Sequence, residues 1–398
     1  MLEMKNKKSA PIVRDAAFTF NSVDSARKSM TGENDNFVYS RWAHGNPTVR
    51  ALEEELAHLE FRYIKEPEAY SYKNCLTFAS GMAAILQMFA GLVASGFLKR
   101  GDEILVSKPL YMTTIEVFEK DIPLWGMKVK FVDASSVAEV KKAITRKTKV
   151  VFVEFLANPT LAMADVIGIG KLIAGTNILF VVDNSFGSPY YFRPLEHGAH
   201  LVIHSVTKFI SGHGDVIAGA IIGEEKHINL FIEQYHRYGA CMSPDVASLV
   251  FRSCKTFDIR LKKQGLNAFI LARWLVDQPK IKRVHYPGLD TFVHRDLART
   301  HMDNNTGYGG MISIDMHTPE DAKKFLDTLA AESRTFDISV SLGFTNTRGE
   351  FDAGMVHVAC TEEEMQEFGL SPTLIRLTIG IEDIEDIKDD FADALSDL

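Results

Sequence analysis

Lys208 stands in the run Ser205-Val206-Thr207-Lys208-Phe209, directly after the apolar stretch LVIH. An amine packed beside apolar residues at a strand end has its charged form disfavoured, and the neutral form can add to a carbonyl to give a Schiff base. Ser205 and Thr207 are two residues apart. On a strand end they share a face and can reach one anion, while Lys208 turns elsewhere. Asp183 closes a second apolar run, ILFVVD, where a carboxylate could hold a pyridine nitrogen protonated. Ser80-Gly81-Met82 opens a long apolar helical stretch, and the free N–H groups and dipole of a helix start suit a phosphate. Glu154 and then Asn158-Pro159-Thr160 follow VVFV, and Tyr111 lies shortly beyond EILVS. Taken singly, Asp183 reads equally well as a helix cap and Lys208 as a surface lysine.

These groups meet only if the runs before them lie side by side. The strand candidates are Glu103–Ser107, Lys128–Val132, Val150–Glu154, Ile178–Asp183, Leu201–Ser205 and Ala218–Ile222, separated by apolar helical periods. Near-continuous apolar runs are how strands read when both faces of a parallel sheet are covered. The fold class is therefore α/β, with helices on both faces of a mainly parallel sheet. Such sheets present ligands at the carboxyl ends of their strands. A helix-start anion site, a strand-end aspartate and a Ser-x-Thr-Lys together describe a pocket for pyridoxal 5'-phosphate.

The 398 residues predict two or three domains. Hydrophobic residues at 46% and charged residues at 24% exclude a disordered chain, a collagen and a coiled coil. A net charge of −8 argues against a nucleic-acid partner. Cys75, Cys241, Cys254 and Cys360 are too scattered for a disulfide framework or a zinc site and read as reduced, mostly buried thiols. Gly81–Leu98 is uncharged for 18 residues, but it reads as a buried core helix rather than a membrane span. The polar start MLEMKNKKSAP has no apolar signal core, so a cytoplasmic location is expected. Residues 1–60 read as an arm containing the helical run Val49–Leu59, 61–250 as the large domain, and 251–398 as a smaller α+β domain. In the last of these we expect one long helix over Phe251–Asp277, strands at Met311–Asp315 and Leu374–Ile379, a helix around Pro319–Ala331, and a solvated acidic helix over Asp383–Leu398.

The segments YSR (Tyr39–Arg41), GNPT (Gly45–Thr48), LEEELAHLE, FASGMAAI, DNSFGSPY, HSVTKFISGHGDVIAG, SVSLG and LIRLTIGIED resemble the Cys/Met-metabolism pyridoxal phosphate enzymes over nearly the whole chain. The resemblance implies the fold type I architecture of aspartate aminotransferase-like transferases. It implies that Lys208 forms the imine with the cofactor, that Asp183 pairs with the pyridinium nitrogen, and that Tyr111 stacks on the ring. Ser80, Gly81, Met82, Ser205 and Thr207 would hold the phosphate, and Asn158 the phenolic oxygen. Ser341 and Arg376 would hold the substrate α-carboxylate, Arg376 as a bidentate fork. Tyr39 and Arg41 would reach the neighbouring subunit's phosphate, making a homodimer the minimal unit and a homotetramer the expected assembly, with no membrane partner.

The implied reaction is α,γ-elimination on a sulfur-containing amino acid, giving 2-oxobutanoate, ammonia and a thiol. The alternatives are γ-replacement, as in cystathionine γ-synthases and O-acylhomoserine sulfhydrylases, or cystathionine lysis. An aminotransferase and a cofactor-free scaffold are more distant readings. Several positions depart from the family pattern. Trp42-Ala43-His44 lengthens the loop between YSR and GNPT, Met112 and Thr113 follow Tyr111, and HVACTEEE (His357–Glu364) is a shortened segment. Val340, before Ser341, stands where cystathionine γ-lyases and γ-synthases tend to have Glu and methionine γ-lyases an apolar residue, so the resemblance implies an uncharged distal substrate group.

Overall fold

The computed structural model describes residues 11–62, 70–302, 307–356 and 370–398. Cys360 and the segment His357–Glu364 lie outside the described residues. The apolar runs pair as one seven-stranded sheet of β1 (Cys75–Phe78), β2 (Glu103–Ser107), β3 (Lys128–Val132), β4 (Thr148–Glu154), β5 (Leu179–Asp183), β6 (Leu201–His204) and β7 (Gly219–Gly223), in the order β1-β7-β6-β5-β4-β2-β3. The five strands from β6 to β3 are parallel, and β7 runs against both its neighbours. β4 shows why its sequence lacks in–out alternation. Val151 and Val153 enter one hydrophobic cluster, Val150 and Phe152 the cluster on the opposite face, and all four are fully buried.

The helix Gly81–Ala94 covers one face and buries Ala84, Ile85, Met88, Phe89 and Leu92, as its uncharged composition requires. Among the described residues no helix is long and apolar enough to cross a membrane. The helix Pro47–Phe61, capped by Asn46, covers the other face with Leu52, Leu56 and Leu59. Cys75, Cys241 and Cys254 are free thiols, with Cys241 only half-buried.

One long helix over Phe251–Asp277 is not what forms. Two helices, Pro244–Cys254 and Phe257–Val276, meet at Lys255-Thr256. Arg260, 4% exposed, bonds the carbonyl of Ser253 at the first helix's end and the carbonyls of Phe209 and Ile210 just beyond Lys208. A buried guanidinium needs such acceptors, and the break supplies one. A Cβ at Gly212, whose φ is +68°, would lie 1.8 Å from that guanidinium.

A second sheet holds β8 (Ile281–His285), β9 (Met311–Met316), β10 (Phe336–Ile338), β11 (Thr347–Phe351) and β12 (Leu374–Thr378), ordered β10-β11-β12-β9-β8. The tail helix Ile384–Ser396 is not simply solvated. Its face of Ile387, Phe391, Ala394 and Leu395 completes the core behind this sheet, together with Phe325, Leu326 and Leu329 of the helix Pro319–Glu332. The sheet's front face docks on the first sheet's carboxyl ends. Ser313, paired with Arg376 across β9–β12, donates to the Pro159 carbonyl at 2.6 Å.

Candidate functional site

The strand before the lysine ends at His204, so Ser205, Thr207 and Lys208 belong to the turn that follows. The expected split between hydroxyls on one side and lysine on the other does not occur: all three line one cavity of 460 Å³. A turn, unlike a strand, does not force neighbouring side chains onto opposite faces. Thr207 is partly committed, since its Oγ1 donates to the Ala218 carbonyl at 3.1 Å and accepts from the Ala218 N–H at 2.9 Å. Lys208 Nζ donates to Ser341 Oγ at 2.9 Å. Burial, and after it the Arg376 charge, push the Lys208 amine down to about 8. Gly343, with φ +82°, lets the Ser341 loop lie on this turn, because a Cβ there would sit 2.7 Å from the Phe209 nitrogen.

Ser80 caps the helix Gly81–Ala94 by accepting from Ala83 N–H. The amides of Gly81 and Met82 belong to the first turn and have no carbonyl partner within the helix. They line the same cavity. A Cβ on Gly81 would come within 3.1 Å of Ser205 Cβ, so the glycine is what allows the helix start and the lysine turn to close around one small volume.

Asp183 and Glu154 are paired neighbours on β5 and β4, and both face the cavity. Asp183 accepts from Ser185 N–H at 2.9 Å. Burial raises its carboxyl above the usual aspartate range. Burial and the nearby Asp183 charge push Glu154 well above the usual range. Glu154 ties down two other site residues, accepting from Tyr111 N–H at 2.8 Å and from Asn158 N–H at 3.2 Å. Tyr111, 42% exposed, stands at the start of the helix Met112–Glu116, at the mouth of the cavity.

Arg376, 4% exposed, donates to Asn158 Oδ1 at 2.8 Å and to Glu350 Oε2 at 2.7 Å. Both readings of a buried arginine, a structural carboxylate partner and a ligand, therefore stay compatible: two of its five N–H groups are engaged and three remain. Asp352 lies beside this pair, and burial raises it to about 8.

Tyr39 and Arg41 are not among the residues lining their own chain's cavity. Arg41 donates to the His236 carbonyl and lies 5.2 Å from the Tyr39 ring centroid. The longer loop is spent on packing in its own chain. Trp42 stacks on His236, and buried His44 bonds Glu53 at 2.7 Å. Sequence reading noted Glu154 without seeing its double anchor and passed over Arg348, Glu350 and Asp352. Their signal was there, three charges at period two in TRGEFD, which on a strand puts them on one face.

A family model described as Cys/Met metabolism PLP-dependent enzyme matches residues 2–396. The chain is 36% identical over 388 residues to an L-methionine gamma-lyase of Pseudomonas putida, covering 97% of this chain and 92% of that protein. It is 32% identical over 382 residues to a cystathionine gamma-lyase of Bacillus subtilis, covering 94% and 93%. The crystal structure of metB from Corynebacterium glutamicum superposes with a TM-score of 0.86 at 33% identity, covering 99% of this chain and 94% of that one.

Proposed function

Because the chain belongs to the family of Cys/Met-metabolism enzymes that depend on pyridoxal phosphate, we propose that it is a carbon–sulfur lyase acting on a sulfur-containing amino acid by α,γ-elimination. The products are 2-oxobutanoate, ammonia and a thiol. The observation that carries this reading is the convergence, in one cavity, of a half-buried lysine amine lowered to about 8, a half-buried strand-end carboxylate and the free amides of a helix start. The donor set suits the cofactor: amides and hydroxyls for its phosphate, Asp183 for its ring nitrogen, Lys208 for its aldehyde. When bound, the cofactor supplies an electron sink for charge developing at the substrate Cα.

The chain's residues do the rest. Lys208 would hold the aldehyde of the bound cofactor and give way to the substrate amine. Freed, it is an amine of suitable basicity to take the Cα proton, then a Cβ proton whose electron pair expels the sulfur at Cγ, and finally to return a proton to Cγ. Asp183 would hold the proton on the cofactor's ring nitrogen, the form of the ring that can accept charge. Arg376, oriented by Glu350 and Asn158, offers its remaining N–H groups to the substrate carboxylate, with Ser341 beside it. Glu154 keeps Tyr111 over the cavity mouth, where its phenol can protonate the leaving sulfur.

In the same reading residues 1–60 form an arm, 61–250 the cofactor-binding domain and 251–398 the C-terminal domain. The protein works as a homodimer or a tetramer of two such pairs, in the cytoplasm. Tyr39 and Arg41 lie away from their own cavity, while Tyr111, Ile217 and Val340 leave an exposed apolar rim at its mouth. Both facts suit a site completed by a second subunit. The free thiols suit a reducing compartment. The test is a panel of methionine, cystathionine and O-acylhomoserines assayed with and without an added thiol. Release of 2-oxobutanoate and ammonia from methionine supports the proposal. Formation of a thioether with no 2-oxo acid would replace it with γ-replacement.

A further inference from the structure

Arg348 is a second guanidinium on the face that carries Arg376. The register pairs Arg348 with Thr378 and Glu350 with Arg376, so the two arginines are diagonal neighbours, roughly 7–8 Å apart at the backbone. Both line the cavity with Lys208. Their surroundings differ. Arg376 is buried against Glu350 at 2.7 Å. Arg348 rests on neutral acceptors, Asn346 Oδ1 at 3.2 Å and Ser339 Oγ at 3.3 Å, with its Cζ 4.5 Å from the Phe344 ring centroid. The carboxylate of Asp337 is 3.9 Å away, 61% exposed, and itself engaged by Asn346. Arg348 is therefore held in place, 24% exposed, with three N–H groups left for another acceptor.

The proposed function accounts for every other charge lining the cavity. Lys208 and Asp183 serve the cofactor, Glu154 anchors Tyr111 and Asn158, and Arg376 takes the α-carboxylate. A substrate anchored at Arg376 extends its γ-substituent along the cavity, and one sheet diagonal is about the span from an α-carboxylate to the end of a short thioether side chain. We propose that Arg348 is a specificity-determining residue that selects substrates whose γ-substituent ends in a carboxylate. This rests on the lyase reading and revises the expectation of an uncharged distal group, which was drawn from Val340. That side chain is 66% exposed and leaves Arg348 to set the polarity.

The test compares S-(2-carboxyethyl)homocysteine with its primary amide, an isostere lacking only the charge, on the holoenzyme. Binding is read from the change in cofactor absorbance when the α-amine displaces Lys208, which needs no elimination. The wild type is expected to bind the carboxylate about tenfold more tightly than the amide, the scale of one charge-assisted contact near the surface. R348L should bring the ratio to about one, and R348K should retain part of it. A wild-type ratio near one, or a ratio unchanged in R348L and R348K, overturns the proposal. Ammonia release from methionine, measured separately, reports on the lyase reading, so its failure is distinguishable.

Discussion

The amine of Lys208 is expected to react as a neutral nucleophile at a pH where ordinary lysines cannot, and Arg376→Gln should weaken that property in a calculable direction. Burial is the first cause of its fall from 10.5 to about 8, and the Arg376 charge is the second. The fall corresponds to on the order of 3 kcal/mol between the two protonation states. At pH 7 about one Lys208 amine in ten is neutral, against roughly one in three thousand for an ordinary lysine, an advantage of about 300-fold in imine formation. Removing the Arg376 charge raises the lysine's pKa, but burial persists, so the midpoint stays below 10.5. The assay adds pyridoxal phosphate to cofactor-free protein from about pH 6 to about pH 10 and follows the growth of imine absorbance. The wild-type rate should level off near pH 8, and the Arg376→Gln profile should move to higher pH. A wild-type midpoint near 10.5, or a variant midpoint unmoved or lower, would refute the reasoning. The linkage has a fixed sign. A folded amine that releases its proton more readily than the unfolded one makes stability rise with pH between about 8 and 10.5.

Glu154→Gln keeps an acceptor for only one of the Tyr111 and Asn158 amides and sets its NH₂ against the other. The loss of one bond to a charged acceptor, about 1.5–3 kcal/mol, is partly offset by relief of repulsion on Asp183. We expect a lower kcat, because Tyr111 and Asn158 are no longer both held by one carboxylate; a kcat equal to wild type would argue against the double anchor. Asp352, raised to about 8 by burial, contributes stability that is complete below the unfolded aspartate range and lost as pH climbs toward 8. The melting temperature of Asp352→Asn should therefore fall less than that of wild type between about pH 5 and pH 8, and parallel slopes would exclude the assignment. Mixed dimers of Arg41→Ala and Lys208→Ala chains should regain activity that neither variant has alone, because one site of the pair then holds both wild-type residues. No recovery would show that the site is not shared.

Several features were legible in the sequence because they are local. The strands β2 to β6 could be read from apolar runs, Asp183 and Lys208 from their places at or shortly after such runs, and Ser80 from its place before a long apolar helix. β1, β8, β10 and β11 were not read: β10, at three residues, is too short to show a period, and charged residues interrupt the apolar pattern of β8 (IKRVH) and β11 (TRGEF). The break at Lys255-Thr256 was missed because its cause, Arg260 reaching back to Phe209 and Ile210, lies about fifty residues away in the chain. The tail helix read as solvated because seven of its thirteen residues are charged or polar, while the sheet and helix that cover its apolar face come from other parts of the chain.

The residue types and their order along the chain were enough to determine the fold class and to single out Lys208, Asp183 and the helix start at Ser80 as candidates. Each depends on a side chain's relation to its own strand or helix, which periodicity records. Only the tertiary structure decided that Glu154 holds Tyr111 and Asn158 together, that Arg376 leans on Glu350, and that Arg348 shares its face. Those relations depend on strand register and on how the second sheet docks against the first, and long-range packing determines both.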